Sequence, residues 1–297
     1  MTKIRLLTAA ALYDGHDVSI NLFRRLLQNR GAEVIHLGHN RSVKEVVTVA
    51  VQEDVDAVLI SSYQGGHNEY FKYVVDSLRE LGARHVLVFG GGGGVILPSE
   101  IQALEEYGVC RLYHAVDGQK IGIDGISDDI IKRIIEYKEN TPDRYFSQID
   151  ESILRDINTD SHLNIARQLS FFETFSGNGI DLKETRNNLK NYDKKKSLVL
   201  GVTGTGGSGK SSLIDEIIGR ILSYTEDIKI GILAIDPSKS RTGGALLGDR
   251  IRYNHIYDPR IYFRSFATRQ SESELSKAIE DSVEVLKAAG FDLIFVE

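Results

Sequence analysis

The chain has 297 residues, 41% hydrophobic and 26% charged, ordinary for a globular protein, and at roughly 150 residues per domain it has room for two. Its 36 basic and 42 acidic residues leave a net charge of −6, which gives no case for nucleic acid as partner, and one cysteine, Cys110, excludes an internal disulfide or a thiolate metal cluster. Apolar runs fall short of the ~20 residues of a membrane helix, and the N-terminus lacks a signal-peptide or transit-peptide layout, so the expectation is a cytoplasmic protein with no membrane partner.

Residues 4–11 form an apolar run that reads as a strand. Over 18–29, Ile20, Phe23, Leu26 and Leu27 recur at helical spacing, and Gly31 ends the pattern. Then come strand 34–37, helix 43–52 with Ser42 as its N-cap, strand 57–61 and helix 68–81 closed by Gly82. Strand 86–89 leads into glycines 90–94, followed by helix 101–107, a weak strand 110–113 and helix 128–137. Strand–helix units of this length predict a parallel sheet covered on both faces. The expectation for residues 1–138 is a flavodoxin-like (Rossmann-type) α/β domain with strand order 2-1-3-4-5. From 139 to 196 polar residues rise; 153–175 has a helical pattern, and the charged stretch 183–196 ends in Lys194, Lys195 and Lys196, a solvated face. This segment reads as a partly helical linker. A second α/β unit spans 197–297: strand 197–203, loop 204–211, helix 212–223, strand 229–235, helix 271–289 and strand 292–296.

The loop Gly204-Thr205-Gly206-Gly207-Ser208-Gly209-Lys210-Ser211 fits G-x-x-x-x-G-K-[ST] between a strand and a helix. Its glycines let backbone N–H groups turn inward around a phosphate, Lys210 reaches the β- and γ-phosphates, and the Ser211 hydroxyl suits Mg²⁺. Asp236, at the end of the next strand, is placed for the Mg²⁺ shell. Asp249 is a further candidate, as is Glu297, which ends an apolar strand where a bare carboxylate would be costly.

In the first domain, strands one, three and four are expected to be neighbours. The loops leaving their carboxyl ends carry Asp14-Gly15-His16, then Ser61-Ser62-Tyr63, then Gly90, Gly91 and Gly92. Such loops meet at the topological switch point, where open α/β sheets bind ligands. A neutral imidazole ligates transition metals, and Asp14 beside it would fix the tautomer. The small residues at Ser61 and the glycines would let a long group slide between backbone segments. A phosphoacceptor receiver domain wants an Asp ending strand three, where this chain has Ser61-Ser62, and a flavin site wants a hydroxyl-rich first loop. His36, His39 and His67 lack comparable support and read as surface histidines.

On these residues the first domain resembles the cobalamin-binding domain of adenosylcobalamin-dependent mutases, whose pattern is D-x-H-x-x-G, then S-x-L, then a glycine pair. Ser19 stands here for the glycine and Tyr63 for the leucine. The resemblance implies that His16 is the lower cobalt ligand. The displaced base and its tail would lie along Asp14, Gly15, Ser61, Ser62, Gly90, Gly91 and Gly92. The second unit resembles the G-protein chaperones of cobalamin enzymes through its Asp-Pro-Ser, Arg-Thr-Gly-Gly and Gly-Asp segments, from Asp236 to Asp249. That resemblance implies GTP on Gly204, Gly206, Gly207, Ser208, Gly209, Lys210, Ser211 and Arg252, and Mg²⁺ on Ser211, Asp236, Asp249 and Glu297. The order of the two resembles the N-terminal part of the fused isobutyryl-CoA mutases, which implies an adenosylcobalamin-dependent radical isomerisation of an acyl-CoA, with GTP hydrolysis gating cofactor loading, in a homodimer. No Asn-Lys-x-Asp motif follows the phosphate loop and no (β/α)₈ barrel of ~250 residues is present, so the resemblance implies a truncated chain with the guanine site and the barrel elsewhere. A cobalamin-loading or cobalamin-sensing protein without mutase activity is the alternative. A nickel-type metallochaperone is disfavoured, since the 8 histidines and 1 cysteine form no metal-carrying tract.

Overall fold

The computed structural model describes residues 3–141, 157–176, 182–190, 196–238, 242–268 and 272–297. In chain order the elements are β1 (Arg5–Ala10), α1 (Val18–Asn29), β2 (Glu33–His36), α2 (Val43–Gln52), β3 (Ala57–Ser61), α3 (His67–Glu80), β4 (Leu87–Gly91), α4 (Pro98–Tyr107), β5 (Arg111–Tyr113) and α5 (Ala115–Asn140). There follow α6 (His162–Phe175), α7 (Lys183–Lys190), β6 (Leu198–Gly201), α8 (Lys210–Tyr224), β7 (Ile230–Asp236), β8 (Ala245–Leu247), a 3₁₀ turn over Asp249–Arg252, β9 (Ile261–Ala267), α9 (Glu272–Ala289) and β10 (Leu293–Val296). The chain forms two compact units, one of residues 1–51, 55–147 and 239–248, the other of 52–54, 148–238 and 249–297.

The first unit is built on a parallel sheet in the order β5-β4-β3-β1-β2-β8. Its first five strands have the expected 2-1-3-4-5 arrangement, and β8, whose three apolar residues are too short a run to be read as a strand, extends the edge beside β2. Strand β1 is buried along its whole length, as a central strand covered on both faces must be. Leu6, Val34, Leu59 and Phe89 pack with Ile20 and Leu27 of α1 and with Ile126, Ile130 and Ile134 of α5. Ser42 caps α2 as expected: its Oγ accepts from the Glu45 N–H at 3.2 Å, while the Glu45 carboxylate accepts from the Ser42 N–H at 2.8 Å. Helix α5 starts well before the expected residue 128. Gly118, Gly122 and Gly125 make that first stretch read as a loop, and the helix is interrupted at Gly122 (φ 70°, ψ 171°).

His36 and His67 are buried, not at the surface; His39 is exposed. On β2, the His36 Nδ1 lies 2.9 Å from Thr8 Oγ1. Burial, with repulsion from Arg24 and Arg41 outweighing attraction to Asp17, pushes this imidazole from 6.5 down to about 4. Between those values the unfolded chain binds a proton that the folded one refuses, so stability falls as the pH drops through that window. The expected loss between pH 7 and pH 5 is up to about 2 kcal/mol. Urea midpoints for wild type and His36→Gln at the two pH values check this; equal pH dependence in the two proteins would remove His36 as the cause.

The second unit carries a parallel sheet in the order β6-β10-β7-β9. Three of these strands are the expected ones. The fourth, β9, was not expected, because Arg264 and Ser265 interrupt its apolar run, yet all its residues are buried. Residues 162–190, read as linker, supply α6 and α7, both of which pack on α9. Helix α6 buries Ile165, Ala166, Leu169, Phe171 and Phe172. It begins at His162, later than the pattern from residue 153 suggested; residues 153–156 and Lys194 and Lys195 lie outside the described residues. Among the described residues no helix is long and apolar enough to cross a membrane.

Candidate functional site

Each unit has a site of its own. In the first, the strand order puts the carboxyl ends of β1, β3 and β4 side by side. Asp14, just past β1, is buried, and its Oδ1 accepts from the His16 N–H at 2.8 Å and lies 2.8 Å from His16 Nδ1. Its Oδ2 accepts from the Tyr63 N–H at 2.5 Å, tying the loop after β3 to the loop after β1. A carboxylate can only accept, so His16 Nδ1 carries a proton, and in the neutral imidazole the lone pair is then on Nε2. The ring itself is 73% exposed. The Tyr63 ring lies beside it, centroids 5.2 Å apart. Tyr13, next to Asp14, holds a left-handed backbone (φ 64°) fixed by Asn40, whose Oδ1 accepts from the Tyr13 N–H at 2.8 Å. Its side chain is 86% exposed beside the histidine loop. Strain of this kind gathers at ligand sites.

The glycines do something other than expected. A Cβ on Gly90 would meet Phe71 Cζ at 2.4 Å, one on Gly91 the Tyr113 O at 2.8 Å, and one on Gly92 the Ser62 O at 1.9 Å. Gly90, Gly91 and Gly92 therefore let neighbouring backbones close on one another; they are not an open slot. Around Gly15, Gly65 and Gly94 there is open space. Ser61 is buried, its Oγ 3.4 Å from Ser19 Oγ. Ser62 is buried too, and its Oγ has no hydrogen-bond partner among the described residues. His67 is a structural residue, with Nε2 3.1 Å from Glu100 Oε2 and Nδ1 3.2 Å from Gln64 O. His16 thus combines an outward Nε2 with an inner nitrogen held by a buried carboxylate, the donor set a transition metal takes.

In the second unit, the glycine-rich loop is exposed between β6 and α8. Gly209, at φ 85°, turns the chain left-handed into the helix, a conformation that favours glycine. The Lys210 Nζ donates to the carbonyls of Gly204 (3.0 Å) and Thr205 (3.2 Å), so the ammonium lies across the loop. Ser211 is buried, and its Oγ donates to Glu297 Oε1 at 2.7 Å. Glu297 Oε2 accepts from Tyr253 OH at 2.5 Å. Burial drives the Asp249 carboxyl above its ordinary range and the Glu297 charge adds to that, against a hydrogen bond from Asp236 and the attraction of Arg252. Arg252 Nη1 lies 2.8 Å from Asp249 Oδ1, so in this structure it serves the acid. Among the described residues no three His, Cys, Asp or Glu side chains gather as a metal centre.

Tyr253 is a site residue the sequence reading missed. It follows the Gly-Asp segment as one more apolar position, and its hydroxyl contact becomes visible only once β10 brings Glu297 alongside.

Residues 4–115 match the family described as the B12 binding domain, and residues 182–297 match Methylmalonyl Co-A mutase-associated GTPase MeaB. The chain is 48% identical over 299 residues to a fused isobutyryl-CoA mutase of Geobacillus kaustophilus, covering 99% of this chain and 27% of that protein. It is 50% identical over 298 residues to one of Cupriavidus metallidurans, covering 99% and 26%. With one of Nocardia farcinica the figures are 46% over 297 residues, 99% and 26%. The chain thus spans about a quarter of the length of these relatives.

Proposed function

We propose that this chain, which is similar to fused isobutyryl-CoA mutases along 99% of its length, is the cofactor-holding and nucleotide-gating part of an adenosylcobalamin-dependent acyl-CoA mutase. The observation that carries the reading is His16: an exposed imidazole whose Nδ1 is held by buried Asp14 and whose Nε2 is free. Bound cobalamin would supply a cobalt–carbon bond that breaks homolytically. This chain's own part is to bind and orient. Asp14 holds the proton on Nδ1, keeps the ring aimed outward, and raises the basicity of Nε2. Tyr13 and Val18, close to His16 in the chain, are exposed and offer apolar surface. In the second unit, Lys210 and the loop N–H groups take the nucleotide phosphates, and Ser211, Asp236 and Asp249 take Mg²⁺ directly or through water. GTP as the nucleotide, and isobutyryl-CoA as the substrate, rest on the family. Among the described residues neither sheet closes into a barrel that would hold an acyl-CoA.

An ultraviolet–visible titration of the 297-residue chain with adenosylcobalamin tests the first site. Wild type is expected to give the base-off, histidine-on spectrum. His16→Ala is expected to lose that form and at least about tenfold in affinity. Identical spectra and affinities would remove His16 from the cobalt.

A further inference from the structure

We propose that Tyr253 is a positioning residue of the nucleotide site: its hydroxyl pins Glu297, and Glu297 in turn aims the Ser211 hydroxyl at the Mg²⁺ of the bound nucleotide. The proposal rests on the reading of residues 204–211 as a phosphate loop and says how that site orders its cation. Glu297 is held at three points. Its backbone sits against β7, N–H to the Leu233 carbonyl at 2.9 Å and carbonyl to the Ile235 N–H at 3.0 Å. Its Oε2 is taken by the Tyr253 hydroxyl at 2.5 Å. That leaves Oε1 to accept the Ser211 proton at 2.7 Å. A serine hydroxyl has one proton and two lone pairs. With the proton committed to Glu297, the lone pairs are left for a cation beside the loop.

Tyr253 is suited to this because its own direction is fixed. The side chain is buried in the apolar cluster of Ile214, Ile218, Ile232 and Ile256, and its ring meets Phe263 edge-on, centroids 5.3 Å apart. Phenylalanine would fill the same apolar space. The hydroxyl is therefore not needed for packing, and it contacts the carboxylate that holds Ser211. The residue also follows directly on the turn Asp249–Arg252, so the same short segment supplies Asp249 and the anchor of Glu297.

The test is the dissociation constant of GTP for the full 297-residue chain, measured by calorimetry in Mg²⁺ and in EDTA. In Tyr253→Phe, the ratio of the EDTA value to the Mg²⁺ value is expected to fall about tenfold, the size of a hydrogen bond to a charged group. A purely structural role would weaken both values together and leave the ratio alone; that result overturns the proposal. Glu297→Gln is expected to lower the ratio similarly, and the double variant no further. Additive losses would mean the two side chains act separately, which also overturns it. Lys210→Ala distinguishes the underlying reading, because it is expected to lose GTP in both buffers. Unchanged affinity there, or a wild type that binds no GTP, overturns the phosphate-loop assignment and this proposal with it.

Discussion

Replacing Glu53 by alanine is expected to cost about 3–5 kcal/mol of stability, the price of leaving a buried ion-pair network without its central charge. Glu53 is fully buried in the second unit. Its Oε1 accepts from Arg250 Nε at 2.8 Å and from the N–H and Oγ of Ser265, each at 3.1 Å. Arg264 Nε lies 3.9 Å from Oε2. Burial works against the Arg264 charge, and Glu173 with Glu53 outweighs it, holding the guanidinium above its ordinary value. Without Glu53, Arg250 keeps the Gln52 Oε1 and the Phe263 carbonyl but has no carboxylate. A typical domain has ~5–15 kcal/mol in total, so the variant is expected to be partly unfolded at 37 °C. The chain has no tryptophan, so far-UV circular dichroism in urea is the suitable readout. Glu53→Gln, which keeps acceptors but not charge, should fall between the two. A Glu53→Ala midpoint within about 1 kcal/mol of wild type would show that the arginines find other partners.

Gly92→Ala is expected to be the most damaging methyl group at the histidine site. The new Cβ would sit 1.9 Å from the Ser62 carbonyl oxygen, a backbone atom that no side-chain rotation moves aside, with Ile96 Cγ1 at 3.0 Å as well. Its neighbour Gly91 accepts from the Ser62 N–H at 2.9 Å, and the next residue, Tyr63, donates to Asp14. Pushing the loop after β4 away from the loop after β3 therefore reaches the carboxylate that orients His16. The expectation is a loss of at least ~1–3 kcal/mol in stability, as for overpacking, and of at least about tenfold in cobalamin affinity. Gly94→Ala is the control: nothing lies within 4 Å of its Cβ, and its stability should stay within about 0.5 kcal/mol of wild type. If Gly92→Ala binds cobalamin with the wild-type spectrum and affinity, the loops are more yielding than their packing implies.

The features that could be read from residue order were those set by near neighbours. Apolar runs of strand length alternating with helical spacing marked the first five strands, and right-handed parallel crossovers left few arrangements for them. The placement of Asp14, His16 and Ser61 at adjacent strand ends followed from that order, and the Lys210 loop was visible because its glycines and lysine are contiguous. Where buried polar groups are satisfied by distant residues, the same reading went wrong. Strand β9 was hidden because Arg264 and Ser265 look like surface residues until Glu53 and Glu173 meet them. His36 looked exposed until Thr8 came beside it, and Tyr253 looked like plain core until Glu297 arrived. The glycines at 90–92 announced a close approach, but residue order did not say whether to a ligand or to backbone. Local periodicity depends on a few adjacent side chains and survives in the bare string; the cost of burying a charge, or of adding one methyl, depends on atoms many residues away that meet only when the chain has folded.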